Sequence, residues 1–457
     1  MGKGSKKNKG SRAGDQLDSS DTDSISSSST VMSDFAPVSA TEQVTSNDFV
    51  LDKLIDALYE KRGSTRENAL VGLVDAFESF VLLPFIENKC ATLSQLFINS
   101  IKKGSAKETI LASRAIGLLS LTIGGGSSSH EIMEESLPEL CRILAGSDQS
   151  KMPAVLDCLA LVTFVGANDL DETEVALKAI WEVIHPKSGS NVGTVKKYRP
   201  PVVAAAITAW SFLLTTISTW RRNPENWKEH IMHLSTLLEA DDRAVRMAAG
   251  EAIALFFELK LLDVRLAEES TAEKDPKYQL FIYMQGMKAK VTAQIDTLAG
   301  EAGGKGADKK NLNDQRELFQ KIWDYIKDGW SPEETVKISS KLGILRVSSW
   351  MELIQLNFLR RFLGRGFLKH AQGNSLLHEI FNFGVDKTEN LSNIAKKIYR
   401  SEEEKERALR LNKDRKIAQV DFHFIIIIIL DILVLEGKFS NIILYFCVSH
   451  RQRNKVS

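Results

Sequence analysis

The chain is 457 residues long and 43% hydrophobic, and its 59 basic residues equal its 59 acidic ones. That length and apolar content can supply an extended core, while the balance of charge excludes a chain drawn as a whole to nucleic acid or to an anionic membrane and leaves electrostatic function to local patches. Four cysteines, Cys90, Cys141, Cys158 and Cys447, have no close pairing and no histidine in zinc-finger register, which argues against a disulfide scaffold and predicts reduced thiols in a cytosolic or nuclear protein.

Residues 1–46 open with Lys3, Lys6, Lys7, Lys9 and Arg12 and continue as a run of Ser, Asp and Thr to Thr30, a composition that cannot bury enough apolar surface to fold. The basic cluster suits an import signal, an RNA-grazing arm or a solvating tail. Ser19, Ser20 and Ser24 stand among Asp21 and Asp23, where phosphate would oppose the lysines. No apolar run follows the basic residues, so no secretory signal is expected.

From Asn47 the pattern is helical. Asn47 or Asp48 is placed to cap a helix with Phe49, Leu51, Leu54, Ile55 and Leu58 on one face. Ser64 or Thr65 opens a second helix carrying Leu70, Leu73, Val74, Phe77 and Phe80, which Pro84 is expected to end or kink. Breaks follow at 124–129, 146–150, 168–171 and 186–201. Small residues followed by apolar ones at i+3, i+4 and i+7 recur at Ala69, Ala112, Ala154, Ala205 and Ala248, about 43, 42, 51 and 43 residues apart, the long interval matching the long break. That is the period of HEAT or armadillo helix pairs. The fold class is therefore all-α: about five helix pairs stacked as a right-handed armadillo/HEAT-like superhelix over 47–299, followed by a small helical C-terminal domain. In the clearest repeat helix, 241–260, Val245, Ala249, Ala252, Phe256 and Leu259 form the stripe, and Arg243 and Arg246 stay outside it.

Residues 300–310 read as a Gly, Ala and Lys linker, and 311–419 as the C-terminal domain. Within it Arg360, Arg361 and Arg365 alternate with Phe358, Phe362 and Phe367. Such alternation holds RNA by phosphate pairing and stacking, or covers a core with an amphipathic helix. The stretch 396–416 has nine basic against five acidic residues and no strong apolar face, so it bridges solvent or meets a charged partner.

Catalytic motifs fail individually. Gly300, Gly303, Gly304 and Lys305 miss the phosphate-loop spacing, and Gly306 stands where Ser or Thr belongs. His130 and His378 lack a second His four residues on, His230 and His233 lack a third ligand, and no nucleophile elbow exists. No catalytic, cofactor-binding or metal residue is expected. Trp181, Trp210, Trp220 and Trp227 lie in or beside apolar stripes and predict core, whereas Trp330 and Trp350 are open between core and surface.

The helices around Ala69 and over 241–259, the block SSWMELIQLNFLRRFLGRGFLKHAQGN at 348–374 with Leu377 to Phe381 behind it, and the run LNKDRKIAQ ending at Gln419 together resemble the interferon-related developmental regulator family in a plant-like form, over roughly 47–419. The resemblance implies a non-enzymatic regulator with an armadillo-like N-terminal domain and a family-specific C-terminal one, and two roles: transcriptional co-regulation through corepressor complexes, and association with ribosomes that holds translation down. From Val420 the chain departs from that pattern. Residues 420–457 form an apolar tail, with 422–435 interrupted by Asp431 and shorter than the roughly 20 residues of a membrane helix. A U-rich intron read through after a GT-initial valine codon encodes such a tail.

The function expected is regulation of gene expression by a scaffold that grips a corepressor-type protein complex, a ribosome or RNA, in cytoplasm, nucleus or both, with no cofactor, no small-molecule substrate and no membrane attachment. The candidate contacts are Arg360, Arg361, Arg365, Lys396, Lys397, Arg407, Arg410, Lys413, Arg415 and Lys416. The alternative is a purely protein-binding adaptor of transport or trafficking.

Overall fold

The computed structural model describes residues 40–186, 197–217, 224–264, 275–301, 309–339 and 342–383. Residues 1–39 of the expected tail at 1–46, residues 302–308 of the expected linker, Trp220, the basic stretch 396–416 and the apolar tail 420–457 lie outside the described residues; residues 40–46 are helical, so the first helix starts ahead of the expected cap at Asn47 or Asp48. The chain divides into two compact units, Met1–Ile217 and Ser218–Ser457.

The first unit holds four helix pairs: α1 (Ala40–Ala57) with α2 (Gly63–Ser79), α3 (Leu83–Lys103) with α4 (Ala106–Ile123), α5 (Ser127–Ala145) with α6 (Met152–Gly166), and α7 (Leu170–Ile184) with α8 (Pro200–Leu214). The partners of each pair pack together. Between pairs, α2, α4, α6 and α8 pack in series as one layer, and α3, α5 and α7 as the other. Pro84 does not end a helix as expected: α2 stops at Ser79, and Pro84 stands in the first turn of α3, where a missing N–H leaves no bond unmade.

Burial explains the layering. Ala112, Leu118 and Leu119 of α4, Val155, Leu159 and Leu161 of α6, and Ile207, Phe212 and Leu213 of α8 are fully buried, as befits helices apolar on nearly every side. The outer helices bury one stripe each, and α5 and α7 turn Glu131, Glu134, Glu135, Asp171 and Glu182 to solvent. Helix starts are fixed by side-chain caps: Ser105 accepts from the Glu108 N–H at 3.1 Å and Asp169 from the Glu172 N–H at 3.0 Å.

The second unit repeats this grammar with α9 (Lys228–Leu237), α10 (Arg243–Glu258), α11 (Pro276–Gly300) and α12 (Lys309–Asp328). Helix α9 packs on α11, α10 on α12, and α11 on α12. The five alanine anchors therefore fall on α2, α4, α6, α8 and α10, the second helix of each of five pairs. The α11/α12 pair is a further one that the alanine spacing did not reveal. There the small residue belongs to the neighbour: Gly250 of α10 accepts Phe319 and Ile322 of α12 so closely that a Cβ on it would lie 2.7 Å from Phe319 Cε1.

After α12 comes an antiparallel hairpin absent from the sequence reading, β1 (Glu334–Ser339) and β2 (Gly343–Val347), with Val336 opposite Leu345 and Lys337 opposite Ile344. Ile338, Leu345 and Val347 are buried while Thr335, Lys337, Ile344 and Arg346 are exposed, the period-two alternation of a one-sided sheet. It packs on α13 (Trp350–Leu363) and α14 (Phe367–Gly373), and α15 (Ser375–Ile380) closes the described chain.

A candidate partner-binding surface

Helix α13 positions three of the candidate arginines, and its own start is held twice. Ser349 accepts from the Glu352 N–H at 3.1 Å, and Glu258, the last residue of α10, accepts from the Trp350 N–H at 2.8 Å and the Met351 N–H at 2.7 Å. Negative charge at a helix N-terminus is stabilising. Burial nonetheless pushes the Glu258 carboxyl above its ordinary range, with the two N–H groups pulling it back down and Glu352 adding to the rise. Trp350 is fully buried and meets Tyr325 edge-on at 6.2 Å.

The alternation of arginine and phenylalanine resolves into two faces. Phe358, Phe362 and Phe367 are buried, so their rings are core and form no stacking platform. The guanidinium groups form the rim. Arg360 donates to Glu334 of β1 at 2.7 Å and lies 5.8 Å from the Phe367 ring centre. The exposed Arg361 covers Phe358 at 5.1 Å and attracts Glu251 of α10. Half-buried Glu251 is pushed up to about 7 by burial, with Arg361 and a hydrogen bond from Asn357 opposing the rise. Gly364, at φ +50°, ends α13 and turns the chain into α14, which leaves Arg365 exposed on the corner, with Lys369 exposed on α14.

Three of the ten candidate contacts are thus brought together on one helix and its turn; Lys396, Lys397, Arg407, Arg410, Lys413, Arg415 and Lys416 lie outside the described residues. Sequence reasoning missed Lys337 and Arg346 on the open face of the hairpin and Lys369. The signal for the first two was their alternation with Val336, Ile338, Leu345 and Val347. Trp330, just ahead of the hairpin, is 73% exposed, whereas Trp181, Trp210 and Trp227 are buried as expected.

A groove of about 510 Å³ is lined in part by Glu239, Asp241, Arg246, Gln294 and Glu301. Its polar groups serve one another. Arg246 donates to the carbonyls of Ala240 and Asp241 and to Gln315, which donates to Glu301, while Gln294 donates to Ser235 and Glu239. That arrangement fastens helices. His130 contacts the Gly166 carbonyl at 3.1 Å and His378 the Ala371 carbonyl at 2.8 Å, local ties of the same kind. Among the described residues no group of three His, Cys, Asp or Glu is arranged to hold a metal. Burial raises Cys90, Cys141 and Cys158 above the ordinary thiol range, which disfavours the reactive thiolate.

Comparison with known proteins decides the family. The family model described as Interferon-related developmental regulator matches residues 18–327. The chain belongs to the interferon-related developmental regulator family. Interferon-related developmental regulator 2 of Mus musculus is 30% identical over 341 residues, 72% of this chain and 71% of its own. Interferon-related developmental regulator 1 is 28% identical in both Mus musculus and Homo sapiens, over 80% of this chain and 80% of its own. The family match begins ahead of α1 and ends inside α12. That match covers the helix pairs, and the block at 348–374 that carries the candidate arginines stands beyond it. No helix among the described residues is long and apolar enough to cross a membrane.

Proposed function

We propose that the chain is a non-enzymatic regulator of gene expression, a helical-repeat scaffold that holds a macromolecular assembly of the corepressor or ribosome kind. Family membership supports a regulator of gene expression or differentiation. The observation that carries the finer reading is the exposure of Arg361, Arg365 and Lys369, with Lys337 and Arg346 on the hairpin, around aromatic rings committed to the core. A rim of cations on a rigid support engages phosphate or acidic protein and leaves the chemistry to the partner. The basic stretch 396–416 extends the same reading, with Lys396, Lys397, Arg407, Arg410, Lys413, Arg415 and Lys416 as further contacts, and the protein acts in cytoplasm, nucleus or both.

Sedimentation of the full chain with ribosomes, with and without RNase, tests this reading. Co-sedimentation should vanish with RNase and weaken as salt rises. Changing Arg365 and Lys369 to Gln should lower the slope of log affinity against log salt by about 1.4 if both meet phosphate. Binding that survives RNase, salt and both charge changes points to the adaptor reading.

A further inference from the structure

A small cleft between α3 and α5 holds two acids that no described side chain neutralises. It is lined in part by Cys90, Ala91 and Ser94 of α3 and by Glu131, Ile132 and Glu135 of α5, and its volume is about 20 Å³. Glu131 and Glu135 are exposed and stand one turn apart on one face of α5. The other acids of that helix are served: Glu134 lies 3.5 Å from His130, and Glu139 pairs with Arg142 at 2.8 Å and Lys102 at 3.8 Å. Among the described residues Glu131 and Glu135 have no ion-pair partner. Beside them Ser94 is 2% exposed, and its Oγ makes no hydrogen bond. A buried hydroxyl left unmatched costs free energy, and this one lines the same cleft as two uncompensated carboxylates. The Cys90 thiol feels their field: burial raises it, and Glu131 and Glu135 raise it further.

We propose that this cleft receives a lysine ammonium of a basic partner protein, with Glu131 and Glu135 as its counter-charges and the Ser94 hydroxyl as an acceptor. Size selects lysine. A volume of about 20 Å³ admits one water-sized group, which a compact ammonium is and a planar guanidinium is not. A metal ion does not fit the same residues, since no three His, Cys, Asp or Glu among the described residues are arranged to hold one. Charge favours a polypeptide over a free amine. Exposed Glu87 lies on the stripe of α3 that carries Cys90, Ala91 and Ser94, one turn earlier, and Glu134 adjoins Glu135, so negative charge continues along the cleft where further basic residues of an extended segment would lie. The cleft belongs to the first unit and is opposite in sign to the cationic rim of the second, so its test stands apart from that of the rim.

Fluorescence anisotropy of the full chain with a dye-labelled Gly-Lys-Gly-Lys-Gly peptide at low ionic strength tests the site. Binding should saturate, and Glu131→Gln with Glu135→Gln should weaken it about tenfold. Ser94→Ala should weaken it about threefold while leaving the melting temperature at or above wild type, because the unmatched hydroxyl is gone. Glu60→Gln with Glu182→Gln removes the same charge from exposed positions elsewhere in the unit and should change affinity by less than about twofold. The peptide with arginine in place of lysine should bind about tenfold more weakly. Absence of saturable binding, equal losses in the two double variants, or an arginine peptide that binds as tightly would each overturn the proposal. Putrescine binding as tightly as the peptide would name a free amine as the occupant and overturn it as well.

Discussion

Arg66 and Arg246 hold the same place, the fourth residue of their helices, in two repeats of the chain. Each wraps back to the carbonyls five and six residues earlier, Arg66 to Glu60 and Lys61, Arg246 to Ala240 and Asp241. Each also reaches the second helix of another pair, Arg66 gripping Glu108 at 2.8 and 3.0 Å and Arg246 gripping Gln315 at 2.8 Å. Glu108 is 2% exposed at its side chain, so Arg66→Ala strands a buried carboxylate and should cost about 2–4 kcal/mol in urea unfolding. Arg66→Lys should recover little, because a single ammonium cannot reproduce the fork. Glu251 makes a different demand. Its folded pKa of about 7 exceeds the ordinary carboxyl value, so between those values the folded protein keeps a proton that the unfolded chain has released. Stability therefore falls as pH rises through that window. Glu251→Gln should flatten the fall relative to wild type by up to about 3 kcal/mol between pH 4.5 and 8, measured as unfolding midpoints across pH.

At the scale of elements, close approach between second-layer helices depends on which one carries the small residue. Gly250→Ala should push Phe319 and Ile322 of α12 off α10 and cost about 1–3 kcal/mol, read from the melting of the 218–457 unit. This geometry also sets what was legible in advance. Pairs anchored on Ala69, Ala112, Ala154, Ala205 and Ala248 announce themselves through a repeated small residue on the second helix. The α11/α12 pair does not, because α12 presents large residues to a small one elsewhere. The hairpin was hidden because Glu334–Ser339 and Gly343–Val347 are six and five residues long, too short for periodicity to stand out among helices. The Arg and Phe alternation of α13 was visible as a pattern, but its meaning turned on contacts from α10 and β1 that lie 26 to 93 residues away in the chain.

For the molecule as a whole, equal numbers of acids and bases do not mean an even surface. The first unit turns carboxylates of α5 and α7 outward, while the end of the second displays Lys337, Arg346, Arg361, Arg365 and Lys369. The family was read from the helix pairs together with the more specific block at 348–374 and the run ending at Gln419, and the match at 18–327 covers the helix pairs. The bare indole of Trp330 has a practical consequence. Trp181, Trp210, Trp227 and Trp350 are at most 8% exposed and Trp323 is partly buried, against 73% for Trp330, so a water-soluble quencher such as acrylamide should extinguish emission chiefly from this residue among the described tryptophans, with Trp323 a lesser contributor. Trp330→Phe should remove most of that quenchable fraction. A macromolecule settling beside the hairpin would shield the ring and shift its emission to the blue, which makes the protein its own optical probe of occupancy.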